Sequence, residues 1–320
     1  MQGIIIRAGM LFSCTSGRFL PGGSMIRRPM AVAVIAAVLA VAAFWILTIP
    51  ASPASTLPAH APDLRNGREM FYVGGCSSCH AVPKQKDSTL LGGGLDLNSP
   101  FGTFYVPNIS SDPKDGIGAW NEIQFITAMT KGVSPAGEHL YPAFPYTSYT
   151  RMKLDDLRDL FAYLKTLPPV AGKVRGHDLR FPYNIRRGIG VWKLLFFDDT
   201  PFRPDPSRSA QWNRGAYLVN GPGHCAECHS PRNMFGAIIA DKRFTGGPSP
   251  TEQGGVPNIT QFKLKDWTVQ DIAGTLADGV TPDAGLVGSI MIEVVGNTSK
   301  LTAEDRMAIA IYIKSLPPNQ

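Results

Sequence analysis

From Met30 to Ile49 the chain runs twenty residues without a charge, between Pro29 and Pro50. A helix of that length spans the hydrocarbon core of a bilayer. A cleaved signal segment usually carries a shorter apolar region, of about 7 to 15 residues. Length therefore favours an uncleaved anchor over cleavage near Ser52-Pro53-Ala54. Arg27 and Arg28 precede the run, and basic flanks stay on the cytoplasmic side, so everything beyond Pro50 is expected outside the cytoplasm. Met25-Ile-Arg-Arg reads as a natural start. Residues 1–24 are then an upstream extension and 25–50 the signal-anchor helix, and Cys14 in the extension has no expected role.

Beyond the run the pattern is of short helices. Leu64 to Val73 and Gly215 to Val219 each lead into a cysteine cluster. Trp120, Ile123, Ile126 and Met129 recur every three residues, which predicts a helix presenting Met129 inward. Asn121-x-x-Gln124 and Thr268-x-x-Asp271 resemble capping boxes, and Gly132 and Gly279 suit the left-handed position that ends each helix. Final helices are expected over Leu154–Thr166 and Ala303–Ser315, the second capped by Thr302-x-x-Asp305, each stopping at a Pro-Pro pair. No convincing strand alternation is present, so the expected class is all-α. The Gly- and Pro-rich stretches Gly92–Pro107 and Thr245–Pro257 are long for empty loops. They suit wrapping around a large prosthetic group.

The pattern repeats. Cys76 matches Cys225 at an offset of 149, Pro107-Asn108-Ile109 matches Pro257-Asn258-Ile259 at 150, Trp120 matches Trp267 at 147, and Leu167-Pro-Pro matches Leu316-Pro-Pro at 149. Four landmarks in one order indicate a duplicated domain, with copies at about 60–169 and 208–320. The linker, 170–207, interleaves Arg175, Arg180, Arg186, Arg187 and Lys193 with Phe181, Tyr183, Trp192, Phe196 and Phe197. It reads first as a strap held across both domains by its aromatics, and second as a docking surface for a partner or for lipid headgroups.

Charge narrows the partners. The formal net charge is +6, but residues 1–50 hold four arginines and no acid, so the remainder carries only +2. Nucleic-acid binding is not indicated.

The chemistry lies in Cys76-Ser-Ser-Cys79-His80 and Cys225-Ala-Glu-Cys228-His229. Two thiols at this spacing can each form a thioether with a haem vinyl group, and the adjacent imidazole then falls under the iron. A zinc ribbon needs its cysteine pairs within about 20 residues of each other, and a thioredoxin-like dithiol needs no following histidine. Two covalently attached haem c groups are expected, on Cys76, Cys79, Cys225 and Cys228, with His80 and His229 as proximal iron ligands. For the second haem, Met291 lies 24 residues after Trp267 in a Gly-containing loop and is the expected distal ligand. The same offset from Trp120 reaches Phe144, which cannot bind iron. Met129, which aligns with Leu276, is preferred as ligand of the first haem over Met152, His139 or an open site. His224 and His177 are expected at the surface or beside haem propionates, and His60 in solvent.

Cys76-Ser-Ser-Cys-His, Leu140-Tyr-Pro-Ala-Phe-Pro-Tyr, Trp212-Asn-Arg-Gly-Ala-Tyr-Leu-Val and Gly223-His-Cys-Ala-Glu-Cys-His-Ser-Pro-Arg-Asn resemble the cytochrome c subunits of bacterial membrane-bound alcohol, gluconate and aldehyde dehydrogenases. The likeness covers about 60–320. Those subunits usually have three haem domains, and their first normally reads Tyr-Pro-Ala-Met-Pro-Tyr, its Met an axial ligand; here Phe144 takes that place. The resemblance implies two tandem class I cytochrome c domains behind a transmembrane helix, on the periplasmic side of a bacterial inner membrane. It further implies a relay rather than an enzyme, taking electrons from a dehydrogenase and passing them to quinone, an oxidase or another cytochrome. The alternatives are a peroxidase-like enzyme with an open first haem and, last, a haem-based sensor.

Overall fold

The computed structural model describes residues 27–53, 56–248 and 254–320. Cys14, the Met25 start and Ala54 of the candidate cleavage site lie outside them. The chain divides into two units, Met1–Leu47 and Thr48–Gln320. Within the first, α1 (Arg27–Leu47) is the one helix among the described residues long and apolar enough to cross a membrane.

The second unit begins with α2 (Leu64–Val73), α3 (Cys76–His80), β1 (Asp96–Ser99), β2 (Gly102–Tyr105), α4 (Glu122–Lys131), α5 (Tyr146–Tyr149) and α6 (Leu154–Thr166). β3 (Asp178–Leu179) and α7 (Gly188–Phe196) occupy the middle stretch. α8 (Ala210–Asn220), α9 (Ala226–His229), β4 (Gly247–Pro248), β5 (Gly255–Val256), α10 (Gln261–Leu264), α11 (Val269–Asp278), α12 (Met291–Thr298) and α13 (Ala303–Lys314) complete it.

Both capping boxes form, with Asn121 accepting from Gln124 N at 2.9 Å and Thr268 from Asp271 N at 3.1 Å. Gly132 and Gly279 take the expected left-handed backbone, φ +58° and +77°. Asp305 N donates to Thr302 Oγ1 at 3.1 Å, the cap expected for α13.

A glycine fixes how the first and last helices of each half cross. A Cβ on Gly67 of α2 would stand 2.1 Å from Asp159 O of α6, and one on Gly215 of α8 would stand 1.9 Å from Ala308 O of α13. Nothing larger than hydrogen fits at either crossing. One apolar cluster runs through both halves, from Met70, Phe71 and Leu160 to Tyr217, Leu218 and Ile309.

The structure departs from the sequence expectation in four places. The stretch expected without strands holds the antiparallel β1–β2 hairpin, which β3 extends to three strands, and β4 pairs with β5. These strands have two to four residues, too short to show alternation. The linker contains helix α7. On α4 the buried stripe is Phe125, Ala128 and Met129, an i, i+3, i+4 face, while Ile123 and Ile126 are half-buried. Met291 opens α12 instead of lying in a loop.

Candidate functional site

In both halves the cysteine motif is a single helical turn, α3 or α9, that leads directly into an oriented histidine. His80 Nδ1 donates to Pro107 O at 2.8 Å, and His229 Nδ1 donates to Pro257 O at 2.8 Å. These prolines belong to the repeated Pro-Asn-Ile, so the landmark found by self-comparison is the acceptor that sets each ring. With Nδ1 bonded, Nε2 is left as the lone-pair nitrogen for a metal. Burial lowers the His80 pKa to about 4 and also lowers that of His229, so both rings are neutral at physiological pH.

The chain is brought close beneath each histidine by a second pair of glycines. Gly93 N donates to His80 O and Gly246 N to His229 O, both at 2.8 Å. Each has a positive φ, and a Cβ would stand 2.5 Å from Pro107 C at Gly93 and 2.5 Å from Val256 O at Gly246, in or beside the Pro-Asn-Ile segment. Asn108 Nδ2 then donates to Val170 O at 2.7 Å, and Asn258 Nδ2 to Asn319 O at 2.7 Å, tying each strand to the tail of its half.

Cys76, Cys79, Cys225 and Cys228 are not paired in disulfides. Burial pushes Cys76 and Cys225 up to about 12. Burial, and then the neighbouring Cys228, push Cys79 up to about 11, while burial raises Cys228. The first-half and second-half motifs are therefore neighbours. Two neutral thiols ahead of a neutral imidazole with a free Nε2, all half-buried, form a donor set that fits a covalently attached haem in each half.

The motifs also grip each other's half reciprocally. The residues between the first pair of cysteines reach α12: Ser77 Oγ donates to Asn297 Oδ1 at 3.1 Å, and Asn297 Nδ2 donates to Ser78 Oγ at 2.9 Å. Between the second pair, Glu227 accepts from Thr147 Oγ1 at 2.7 Å and Ser148 Oγ at 2.8 Å of the α5 region. Arg232 completes its shell at 2.7 Å. Burial alone would raise the Glu227 pKa, but Arg232 and the two hydroxyls outweigh it and hold the carboxyl below its ordinary value. His224 Nε2 bonds Gly74 O at 3.1 Å, and its ring meets Tyr149 edge-on at 5.5 Å. None of Glu227, Asn297, Thr147 and Ser148 stood out in the sequence. Glu227 had only its polarity between paired cysteines as a signal, and Asn297, Thr147 and Ser148 had none.

On the distal side the halves differ. Met129 on α4 and Met152 before α6 are both buried, at 6% exposure, in the shared cluster. Phe144 stands before α5 with its ring 5.6 Å from Tyr149, whose hydroxyl is raised by burial and by the adjacent Cys76 and Cys79. Met291, half-buried against the cluster, opens the longer α12. His139 and His60 are not solvated. His139 is buried, with Nε2 on Thr48 O at 2.9 Å, and His60 Nε2 is 2.7 Å from Asp159 Oδ1. His177 Nδ1 accepts from Tyr105 N at 3.1 Å.

The cytochrome c family model matches residues 64–168. A dihaem c-type cytochrome of Cereibacter sphaeroides is 46% identical over 253 residues, covering 78% of this chain and 85% of its own length. The fructose dehydrogenase cytochrome subunit of Gluconobacter japonicus is 32% identical over 295 residues, and the gluconate 2-dehydrogenase cytochrome c subunit of Pantoea cypripedii 31% over 264. These alignments cover 91% and 79% of this chain but only 60% and 59% of the two relatives. With matching motif geometry in both halves, the chain belongs to the dihaem c-type cytochromes.

Proposed function

We propose that this chain is a membrane-tethered relay of two tandem class I cytochrome c domains, carrying electrons from a periplasmic or membrane-bound dehydrogenase to quinone, an oxidase or another cytochrome. The observation that carries this reading is the paired attachment geometry, in which each Cys-x-x-Cys-His turn ends in a histidine oriented by a proline carbonyl at 2.8 Å. Domain boundaries near 60–169 and 208–320 follow from the repeat, with α1 as the tether. The names of relatives that serve alcohol, fructose and gluconate dehydrogenases support the donor class.

Within each half the chain's work is attachment and orientation. Cys76 and Cys79, or Cys225 and Cys228, would hold the haem covalently through thioethers. The carbonyls of Pro107 and Pro257 fix the imidazole plane and make Nε2 a better donor. Met291 is the proposed distal ligand of the second haem and Met129 that of the first. With a haem c bound in each half, His80 and Met129, or His229 and Met291, would hold the iron, which would supply one-electron transfer. The reciprocal grip of Ser77, Ser78 and Asn297 on one side and Glu227, Thr147 and Ser148 on the other holds the two attachment turns side by side. Electrons would cross between the halves there.

Membranes from a strain with and without this chain provide the test, with alcohol, fructose and gluconate supplied in turn. At least one substrate should reduce the haem c and drive oxygen uptake only when the chain is present. Unchanged respiration on every substrate would contradict the dehydrogenase reading. Phe144 sustains one rival, an enzyme with an open first haem. A carbon monoxide adduct at the first ferrous haem, absent from the second, would establish it.

A further inference from the structure

Helix α7 and the turn leading into it are inside out for a surface segment in water. The polar side points into the protein: Arg186 Nη1 donates to His139 O at 3.0 Å, and Lys193 Nζ donates to Lys131 O and Gly132 O at 2.6 and 2.8 Å. Burial lowers the Lys193 pKa to about 7. The outward face is apolar. Val191, Leu194 and Leu195, an i, i+3, i+4 set, are 38%, 60% and 68% exposed. Ile185 extends this surface at 47%. Met234 and Phe235 of the second half extend it at 79% and 52%, joined to α7 by Trp192 Nε1 on Phe235 O at 2.9 Å and by the stacked Phe196 and Phe235 rings. From Leu179 to Phe197 there are four basic residues and no acid. Exposed apolar side chains gathered in this way mark an interaction site.

The chain itself identifies the occupant. Thr48, the residue following α1, is 1% exposed beneath α7. Its carbonyl accepts from His139 Nε2 at 2.9 Å, and its hydroxyl from Arg187 Nε at 2.8 Å. Gly190 of α7 passes so near that a Cβ there would stand 2.5 Å from Thr48 Cβ. The end of the span, Leu47, is one peptide away, about 3.8 Å. α7 therefore packs on the residue at which the chain emerges from the candidate span. An apolar face with aromatic neighbours and no acid suits the boundary between headgroups and acyl chains.

We infer that the outward face of α7, with Ile185, Met234 and Phe235, lies in the bilayer surface as a second, peripheral membrane contact. This rests on the membrane-tether reading, and the two are separable by lipid photolabelling. The full haem-loaded chain would be placed in phosphatidylcholine vesicles whose acyl chains carry a diazirine, irradiated, and mapped by mass spectrometry. Labels are expected within α1 and on residues 185–196 and 234–235. Labelling confined to α1 overturns the docking and leaves the tether. Labelling absent from both overturns both, and labelling of α7 without α1 upholds the docking and removes the tether. A label-free α7 face that becomes covered only when a dehydrogenase is added assigns the surface to a protein and overturns the inference. The L194E/L195E variant, at exposed positions, should keep its haem spectrum and lose about tenfold or more of the α7 label, because charged side chains are not withdrawn into lipid.

Discussion

The two halves agree on one side of each motif and part company on the other. Attachment sides superpose in their chemistry: a 2.8 Å bond from histidine Nδ1 to a proline carbonyl, a glycine N–H on the histidine carbonyl, and an asparagine tying the strand to the tail. On the opposite side a four-residue α5 follows Phe144, whereas an eight-residue α12 begins at Met291. Covalent attachment tolerates one arrangement of thiols and imidazole, so both copies kept it. A sixth ligand can come from more than one place in the chain, and it is on this side that the copies differ in residue and helix length.

The helix crossings test the agreement most severely. Gly67→Ala and Gly215→Ala each force a methyl into a backbone carbonyl and should each cost about 3 kcal/mol in denaturant unfolding. A large loss at one site and none at the other would break the equivalence of the halves. Next comes the reciprocal grip. Glu227→Ala removes the acceptor of Thr147 and Ser148 and the carboxylate partner of Arg232, which keeps its bonds to Gly236 O and Glu227 O, and should cost about 1–3 kcal/mol, against about 1 kcal/mol for Asn297→Ala. Equal losses would show that the charged side of the grip contributes no more than the neutral side.

A smaller effect distinguishes the halves by pH. Burial alone would raise the Asp159 pKa, but bonds from Asn66, Asp63 N and His60 outweigh it and hold the carboxyl below its ordinary value. Its contribution is complete above the unfolded carboxyl value of 3.8 and is lost as pH falls through the lower folded value. The position matching it at the repeat offset of 149 is Ala308, so this acid dependence belongs to the first half alone. Acid titration of unfolding in Asp159→Asn should lack it, and an unchanged profile would contradict the assignment.

What the sequence made legible was local or repeated. The capping boxes, the left-handed glycines and the bounds of α2 and α6 depend on residues within a turn of each other, and all formed as expected. Thr48 lies 91 residues from His139, and Asp159 lies 99 from His60, so neither histidine's burial had a local sign. Helix α7 escaped because its apolar face looks outward and its cations look inward, the reverse of the pattern by which surface helices are recognised. The Pro-Asn-Ile landmark was visible as a repeat, but its use as a carbonyl acceptor required the fold.

The two proposed haem sites are alike in attachment and unlike in distal ligation. Near-infrared magnetic circular dichroism of the oxidised protein resolves methionine ligation haem by haem. Met291→Leu should abolish the methionine signal of one haem and Met129→Leu that of the other, with both haems still attached. An unchanged signal from both haems in Met129→Leu would contradict it.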